Sequence, residues 1–429
     1  MGFSMFSAHA SPIAIDFGSS SIKVLQVSSG EPLSLVAAAQ VQIPDPLRSD
    51  PEKLFNFYAE AIPSALSAAK VKGRRCVCSV SSSRSFIQHM QLAPSDGLKR
   101  DDLIKAQLQF QRNIAPSSVV VRAIDVCDVH REGQLRHETI CLAMSRETVM
   151  RYVDILRKAK LEVVGVHPEM TAMVRAFAHL HRRAGDENIT TMYVDLGWGG
   201  TRTAIGHGLS TVFARNIQIG GKHFDQHIAD HLHCDLASAR AHRLSQQVIV
   251  APAVPIEQTH MNGDEHSSAR GSAILAGALD RAKAVLHVGG GGASISAGAT
   301  AVAPERRAGG PPVELRHEVL PGEVNTTAAN VDFSELLDAL TDELLMCRRY
   351  HQSLFPGRPI DRLIFLGGEA SQIGFCQHIA RVLRLPAQLG DPMARLKRDA
   401  ALSTPGVSLD RAQPGWAVAF GLCSSPTDL

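Results

Sequence analysis

Residues 13–23 read Ile13-Ala-Ile-Asp-Phe-Gly-Ser-Ser-Ser-Ile-Lys23, and residues 192–201 read Met192-Tyr-Val-Asp-Leu-Gly-Trp-Gly-Gly-Thr201. In each stretch, an apolar run typical of a buried strand leads into an acid, a glycine and then small or hydroxyl residues. One such Asp-x-Gly loop is weak evidence, because Asp and Gly are also common in ordinary hairpin turns. Two of them, one at the start of each half of the chain, predict a duplicated fold that binds one phosphate chain from two sides.

The residue types in both loops suit a nucleoside triphosphate. Glycine lets a charged phosphate approach the backbone N–H groups and tolerates positive φ, and hydroxyl groups donate hydrogen bonds. Lys23 adds a point charge, and Asp16 and Asp195 are expected to hold Mg²⁺ through water, because this ion loses its hydration shell reluctantly. The predicted phosphate-binding residues are Asp16, Gly18, Ser19, Ser20, Ser21 and Lys23 in the first loop and Asp195, Gly197, Gly199, Gly200 and Thr201 in the second.

A third stretch reads Asp361-Arg-Leu-Ile-Phe-Leu-Gly-Gly-Glu-Ala-Ser-Gln-Ile-Gly374. It predicts a buried strand over residues 363–366, a Gly-Gly turn and a helix through about Leu383. Such a unit lets a flat ligand lie against the backbone, here the adenosine end of the nucleotide. The motif is common by itself, but its order after two phosphate loops is specific. The predicted nucleotide-binding residues of this stretch are Gly367, Gly368 and Glu369, and Gly220 and Gly221, after the second loop, complete the predicted nucleotide-binding set.

This order of motifs resembles the signature of the actin, Hsp70 and sugar-kinase superfamily. More narrowly, the chain resembles the PilM family of type IV pilus assembly proteins, which is similar to the cell-division protein FtsA. The similarity covers most of the chain outside residues 246–330, and it implies an α/β, actin-like (ribonuclease H-like) fold of two lobes with an inserted subdomain of the 1C type. The stretches that carry it are Ile15-Asp-Phe-Gly-Ser-Ser-Ser-Ile-Lys-Val24, Arg215-Asn-Ile-Gln-Ile-Gly-Gly-Lys-His-Phe-Asp-Gln-His-Ile228, and Leu366-Gly-Gly with the later Leu389-Gly-Asp-Pro-Met393.

The resemblance also implies a function, that of a cytoplasmic platform for pilus assembly or a related secretion machine at the inner membrane. ATP with Mg²⁺ would lie between the lobes as a conformational ligand more than as fuel, so the protein would be at most a slow ATPase. Glu169 is the candidate that would orient a catalytic water, with His167 as its rival. The implied partner is the short cytoplasmic tail of an inner-membrane protein such as PilN, bound beside or within the 1C-like module. Self-association, including filament formation, stays open.

Composition divides the chain further and excludes some functions. A net charge of +2 and an aromatic content of 5% argue against nucleic-acid binding, and no apolar run is long enough to span a membrane. Eight scattered cysteines without a Cys-x-x-Cys pair predict reduced thiols in a cytosolic protein. A Gly/Ala/Ser-rich composition predicts a flexible insertion at 246–330. The predicted divisions are a tail 1–12, lobe I 13–73, the 1C-like subdomain 74–166, a lobe I return 167–190, lobe II 191–245, the insertion 246–330, and the rest of lobe II with the C-terminal return 331–429.

Three alternatives stay open, and they rest on departures from the family pattern and on motifs that the family does not explain. Where the family usually carries an Ala-Glu-x-Leu-Lys type motif, this chain has Ala241-His-Arg-Leu-Ser245, and Trp198 stands in the second loop, so a nucleotide-free scaffold is one alternative. A small-molecule kinase of the sugar-kinase class is another, although no convincing catalytic acid stands out. His223, His227 and His231 recur every four residues and could bind Zn²⁺ or Ni²⁺ on one helix face, or be ordinary surface histidines.

Overall fold

The computed structural model describes residues 10–245 and 331–427, apart from 29, 31, 95–96 and 400–401. The predicted flexible insertion at 246–330 and most of the predicted N-terminal tail therefore lie outside the described residues. Within the described part, no helix is long and apolar enough to cross a membrane.

The chain alternates strands and helices in an α/β pattern. In order, the strands are β1 (Ile13–Phe17), β2 (Ser21–Ser28), β3 (Ser34–Gln42), β4 (Arg75–Val80), β5 (Phe86–Leu92), β6 (Val119–Arg131), β7 (Gln134–Ser145), β8 (Glu162–Pro168), β9 (Thr190–Leu196), β10 (Thr201–His207), β11 (Ser210–Ile217), β12 (Arg362–Leu366) and β13 (Ala387–Leu389). The helices are α1 (Asp45–Arg48), α2 (Pro51–Ala69), α3 (Arg100–Arg112), α4 (Arg146–Lys158), α5 (Glu169–Arg175), α6 (Gly221–Leu232), α7 (Leu236–Ser245), α8 (Ser334–Leu354), α9 (Ile373–Leu383) and α10 (Ala417–Leu422).

Two five-stranded sheets share one topology. The first has the order β3-β2-β1-β4-β8, and the second has the order β11-β10-β9-β12-β13. In the order given, the first two pairings of each sheet are antiparallel and the last two are parallel. Half of the pairings in each sheet are antiparallel, because each Asp-x-Gly loop is the turn of an antiparallel hairpin. The duplication predicted from the two loops is present at the level of the whole sheet.

Strand β1 shows why these runs are apolar without alternation. Ile13, Ile15 and Phe17 enter a core formed with α2 and α4, whereas Ala14 enters a second core on the opposite face, formed with α5 and α10. A strand buried on both faces needs apolar residues at every position. Helix α2 is fixed at its start by Asp50, whose carboxylate accepts the backbone N–H groups of Glu52 and Lys53.

A third sheet, with the order β5-β7-β6, carries α3 on one face. Its strands β6 and β7 form a long hairpin that closes at a two-residue turn, Glu132 and Gly133. Both turn residues have positive φ, 52° and 76°, which suits the right-handed twist of a hairpin. Strand β5 forms one edge of this sheet, and β11 forms an edge of the second five-stranded sheet.

The C-terminal part of the chain returns to the first sheet through α10. Helix α10 contacts α5 at Gly421. A Cβ added to Gly421 would lie 1.9 Å from the carbonyl oxygen of Ala172 in α5, so only glycine fits. Trp416, just before α10, is among the largest fully buried side chains and packs in the core that includes residues of both five-stranded sheets.

Candidate functional site

The two Asp-x-Gly loops meet at the ends of β1 and β9. The backbone N–H of Gly199 donates to the Ser19 hydroxyl at 3.2 Å, so the loops touch across a cleft between the two five-stranded sheets. In this conformation the cleft holds a cavity of only about 20 Å³. Its lining residues include Ser19, Ser81, Ser82, Gly199, Gly200, Thr201, Arg202, Asn216, Ile217 and Gln218.

Each loop aspartate lies opposite a basic residue on the following strand. Asp16 pairs in register with Lys23, and Asp195 pairs in register with Arg202. The Lys23 ammonium is 3.6 Å from the Asp16 carboxylate, which also accepts a 2.9 Å hydrogen bond from the Ser79 hydroxyl. The Arg202 guanidinium is 3.0 Å from Asp195. The two halves of the fold therefore repeat an acid–base pair as well as a loop.

The structure places Glu169 in the cleft and its rival elsewhere. One Glu169 oxygen accepts the backbone N–H of Ser82 at 2.7 Å, and the other is 2.8 Å from Arg202. His167 Nε2 instead lies 2.8 Å from the carbonyl oxygen of Pro426, near the C-terminus. Both oxygens of Glu169 are thus engaged by the protein, and its role in orienting water stays a prediction.

The other residues of the first loop act through their backbone. The carbonyl of Ser20 accepts the N–H of Ile43 at 2.9 Å, and Ser21 is buried at the start of β2. A Cβ on Gly18 would lie 2.9 Å from the carbonyl oxygen of Ser21, so the turn leaves little room for a side chain. The loop is therefore tightly wound, with Ser19 at its contact with the second loop.

The cleft does not suit the Mg²⁺ site expected from the sequence. Asp195 and Glu169 are both bound to Arg202, and Asp16 is bound to Lys23 and Ser79. Burial lowers the pKa of Arg202, but Asp195, Glu169 and Asp16 outweigh that effect and raise it above its ordinary value. Burial raises the pKa of Glu169, against the opposing effect of Arg202. Among the described residues, no group of three or more His, Cys, Asp or Glu side chains is arranged to hold a metal ion.

The predicted adenosine side is formed around Gly367. Its φ is 88°, and a Cβ there would lie 2.3 Å from an Asp195 carboxylate oxygen, so the turn requires glycine. Next to it, Glu369 is 2.6 Å from the guanidinium of Arg243, which also lies 2.7 Å from Asp225. Arg243, which lies within the departing stretch 241–245, is therefore paired with the glutamate that follows the Gly-Gly turn.

The Gly220-Gly221 pair packs between the second loop and the adenosine side. A Cβ on Gly220 would come 2.4 Å from a backbone nitrogen of the second loop, and one on Gly221 would come 2.6 Å from Glu369. The Thr201 hydroxyl donates to the carbonyl of Ile219 at 2.7 Å and holds this segment in place. Gly368, in contrast, has open space around it.

Trp198 packs against the neighbouring helices. Its indole N–H donates to Asp225 at 2.9 Å, and the guanidinium of Arg48 lies 4.8 Å from the ring centroid. This arrangement agrees with a packing role for the indole.

Two histidines of the stripe on α6 make contacts to the backbone. The N–H of Gly220 donates to His223 Nδ1 at 3.1 Å, and His227 Nε2 lies 2.8 Å from the carbonyl oxygen of Asp332. One ring nitrogen of each of these two residues is therefore engaged by the backbone, and within the part of the chain that the structure describes no cluster of three or more His, Cys, Asp or Glu side chains could hold Zn²⁺ or Ni²⁺.

A larger groove of about 510 Å³ lies between the edge strands β5 and β11. Helix α8 closes one side of it, where the Tyr350 hydroxyl donates to the buried Glu138 of β7 at 2.6 Å. The groove is lined by Ser85, Phe86, Ile87, Gln88, His89, Phe213, Ala214, Arg215, Asn216, Gln218, Met346 and Tyr350. The hydrogen bond between Tyr350 and Glu138 therefore links α8 to the third sheet, beside a groove that is bordered by two sheet edges.

Sequence reasoning missed Arg202 and Arg243, the two arginines that pair with the carboxylates of the site. Arg202 follows Asp195 at the same spacing as Lys23 follows Asp16, and this repeated spacing was a signal that could have found it. Arg243 had no such signal, because its partners Asp225 and Glu369 are 18 and 126 residues away in sequence.

Comparisons with known proteins agree with this architecture. A family model described as type IV pilus assembly protein PilM matches residues 14–250, more than half of the chain. A search of curated proteins finds no match. Among solved structures, a PilM-PilN type IV pilus biogenesis complex matches with a TM-score of 0.63 at 17% identity, covering 96% of this chain and 97% of that chain.

Two weaker structural matches extend over similar lengths. The ethanolamine utilization protein EutJ from Carboxydothermus hydrogenoformans has a TM-score of 0.44 at 11% identity, covering 97% of this chain and 89% of that chain. MreB 5 of Spiroplasma citri bound to AMPPNP has a TM-score of 0.40 at 12% identity, covering 95% and 93%.

The predicted fold class, an α/β, actin-like fold of two lobes, is confirmed by the duplicated sheets and by the match to the PilM-PilN complex. The family inferred from the sequence motifs is the one whose model matches. The chain belongs to the family of the type IV pilus assembly protein PilM.

Proposed function

We propose that this protein is a cytoplasmic platform of type IV pilus assembly that binds an extended segment of an inner-membrane partner in the groove between β5 and β11. The observation that carries the proposal is the pair of sheet edges that face this groove. Membership of the PilM family supports a role in pilus assembly, and the similarity to a PilM-PilN complex supports a PilN-like partner. The segment would be the partner's cytoplasmic tail.

The groove has the chemistry that an extended peptide requires. A sheet edge offers unpaired backbone N–H and C=O groups, to which a peptide can add as a further strand. Phe86, Ile87 and Met346 supply apolar contacts for alternate side chains, and Arg215 and Gln88 supply polar groups among the lining residues. The volume of about 510 Å³ lies within the range of ordinary ligand pockets.

Replacement of Met346 by glutamate is expected to weaken binding of the partner's tail by about tenfold or more, because docking would then bury an unpaired carboxylate. Met346 is 51% exposed, so the folded state tolerates the change. The measurement is fluorescence anisotropy with a labelled peptide from the cytoplasmic tail of the same organism's PilN-like protein. Leu209→Glu, at a position that is 55% exposed outside the groove, is the matched control. Equal affinity of both variants would place the tail elsewhere.

The proposed function includes a nucleotide, with ATP bound between the two lobes. Two glycine-containing loops face each other, and the basic side chains of Lys23 and Arg202 lie at the phosphate end. Because the present cavity is about 20 Å³, ATP requires a more open arrangement of the lobes. Asn216 and Gln218 line both the cleft and the groove, so a change of the cleft would alter the groove directly. Nucleotide would then act through its differential affinity for the two arrangements.

Replacement of Lys23 by alanine is expected to lower ATP affinity by about tenfold or more, since a charge-assisted contact to phosphate is lost. The measurement is isothermal titration calorimetry on the folded protein. Lys53→Ala removes an equally charged but exposed lysine on α2 and is the control. An unchanged affinity in Lys23→Ala would show that the phosphates lie outside the first loop.

A nucleotide-free scaffold is the second candidate function, and a specific observation favours it. Arg243 fills the adenosine end with ion pairs to Asp225 and Glu369, and its guanidinium is fully buried. A ligand would have to displace or rearrange this network. Absence of ATP binding at millimolar concentration, with partner binding intact, would decide for the scaffold.

A further inference from the structure

The floor of the cleft gathers three carboxylates that need positive charge. Asp16, Asp195 and Glu169 are each no more than 3% exposed. Buried carboxylates without compensating cations are strongly unfavourable. Lys23 compensates Asp16 from its own hairpin, and Arg202 lies between the other two.

Arg202 is held in this position from two sides. Its Nη1 is 2.8 Å from Glu169 and its Nη2 is 3.0 Å from Asp195. The pairing of β9 and β10 sets Arg202 directly opposite Asp195. A Cβ on Gly197 would lie 2.9 Å from Nη2, so glycine at this position leaves room for the guanidinium. The cation is therefore built into the fold, and its placement depends on backbone pairing as well as on charge.

We propose that the Arg202 guanidinium takes the place of a divalent cation in this cleft, so that the nucleotide polyphosphate is bound without Mg²⁺. The inference rests on the proposed binding of ATP. A divalent ion beside Asp195 and Glu169 would lie next to the guanidinium and be repelled by it. Mg²⁺ also demands nearly octahedral oxygen ligands, whereas both carboxylates already accept hydrogen bonds from Arg202. Guanidinium presents a fork of donors that suits phosphate oxygens.

The first test compares ATP titrations of the full chain in Mg²⁺ and in EDTA. The expected result is the same Kd within about twofold, because the required cation is part of the protein. A loss of about tenfold or more in EDTA would overturn the proposal. Absence of ATP binding in both buffers would instead contradict the proposed nucleotide function, and the second test would then decide the role of Arg202.

The second test uses Mn²⁺ as the probe, followed by electron paramagnetic resonance without nucleotide. The wild-type protein is expected to bind no Mn²⁺ in the cleft, and Arg202→Gln is expected to gain one Mn²⁺ that Asp195→Asn in the same background removes. Arg202→Lys keeps the charge and should bind none. Arg151→Gln, on the surface of α4, is the matched control.

The outcomes distinguish a cleft whose cation is Arg202 from one that binds a divalent metal ion. Stoichiometric Mn²⁺ binding by the wild-type cleft, lost on Asp195→Asn, would overturn the proposal. Circular dichroism tests whether each variant is folded. If Arg202→Gln is unfolded, the titrations of the wild-type protein and of Arg202→Lys with Mn²⁺ decide the question. In a folded Arg202→Gln protein, ATP binding should become dependent on Mg²⁺ by about tenfold or more.

Discussion

Replacement of Arg243 by alanine is expected to destabilise the protein by about 3–5 kcal/mol. The guanidinium is fully buried and compensates Asp225 and Glu369 at 2.7 and 2.6 Å. Burial lowers the pKa of Arg243, but the two carboxylates outweigh that effect and raise it, so the arginine is charged in the folded state. Alanine would leave both carboxylates buried without a cation. Urea denaturation followed by circular dichroism measures the free energy of unfolding.

Two further variants test this explanation. Arg157→Ala removes an exposed arginine with a long 3.9 Å ion pair, and it should change stability by less than about 0.5 kcal/mol. Combining Arg243→Met with Asp225→Asn and Glu369→Gln should recover much of the lost stability, because no unpaired charge remains. A loss below about 1 kcal/mol in Arg243→Ala would mean that water reaches the carboxylates.

Replacement of Trp416 by alanine is expected to cost about 3–5 kcal/mol, the range for removing a large aromatic side chain from a core. Trp416 is 1% exposed and packs with residues of both sheets, in the segment that leads into α10. Because the Gly367 N–H donates to the Pro414 carbonyl at 3.1 Å, loosening this segment should also disturb the Gly-Gly turn.

The chain offers a matched comparison, because Trp198 is its other tryptophan. Trp198 is half-buried, so Trp198→Ala should destabilise the protein less than Trp416→Ala. Thermal unfolding of both variants gives the comparison, with fluorescence of the remaining tryptophan as a local probe. Equal losses would show that the C-terminal segment contributes little to the core.

The sequence was sufficient for the parts of the site that depend on local backbone. Asp16, Asp195 and Gly367 lie at strand ends, where an apolar run followed by glycine predicts a turn. Their order also predicted the duplicated lobes, because each loop has to start its own sheet. The roles of these residues in nucleotide binding stay predictions.

The rest of the site depends on pairings that no local pattern contains. Glu169 and Arg202 meet because α5 begins where β8 ends, close to the hairpin of β9 and β10. The direction of the sheet pairings depends on the turns as well, since the hairpins after each loop make half of them antiparallel.

The ion pair between Arg202 and Glu169 joins the second sheet to the end of the first. Glu169 is also bound to Ser82, beyond β4, whereas Arg202 belongs to β10. Separating the sheets would leave the buried carboxylate of Glu169 without a cation. The ion pair therefore acts as a latch, and opening the cleft has to overcome an energetic barrier. Entry of any ligand would then be gated by how often the latch opens, and the association rate would fall well below the diffusion limit and level off at high ligand concentration.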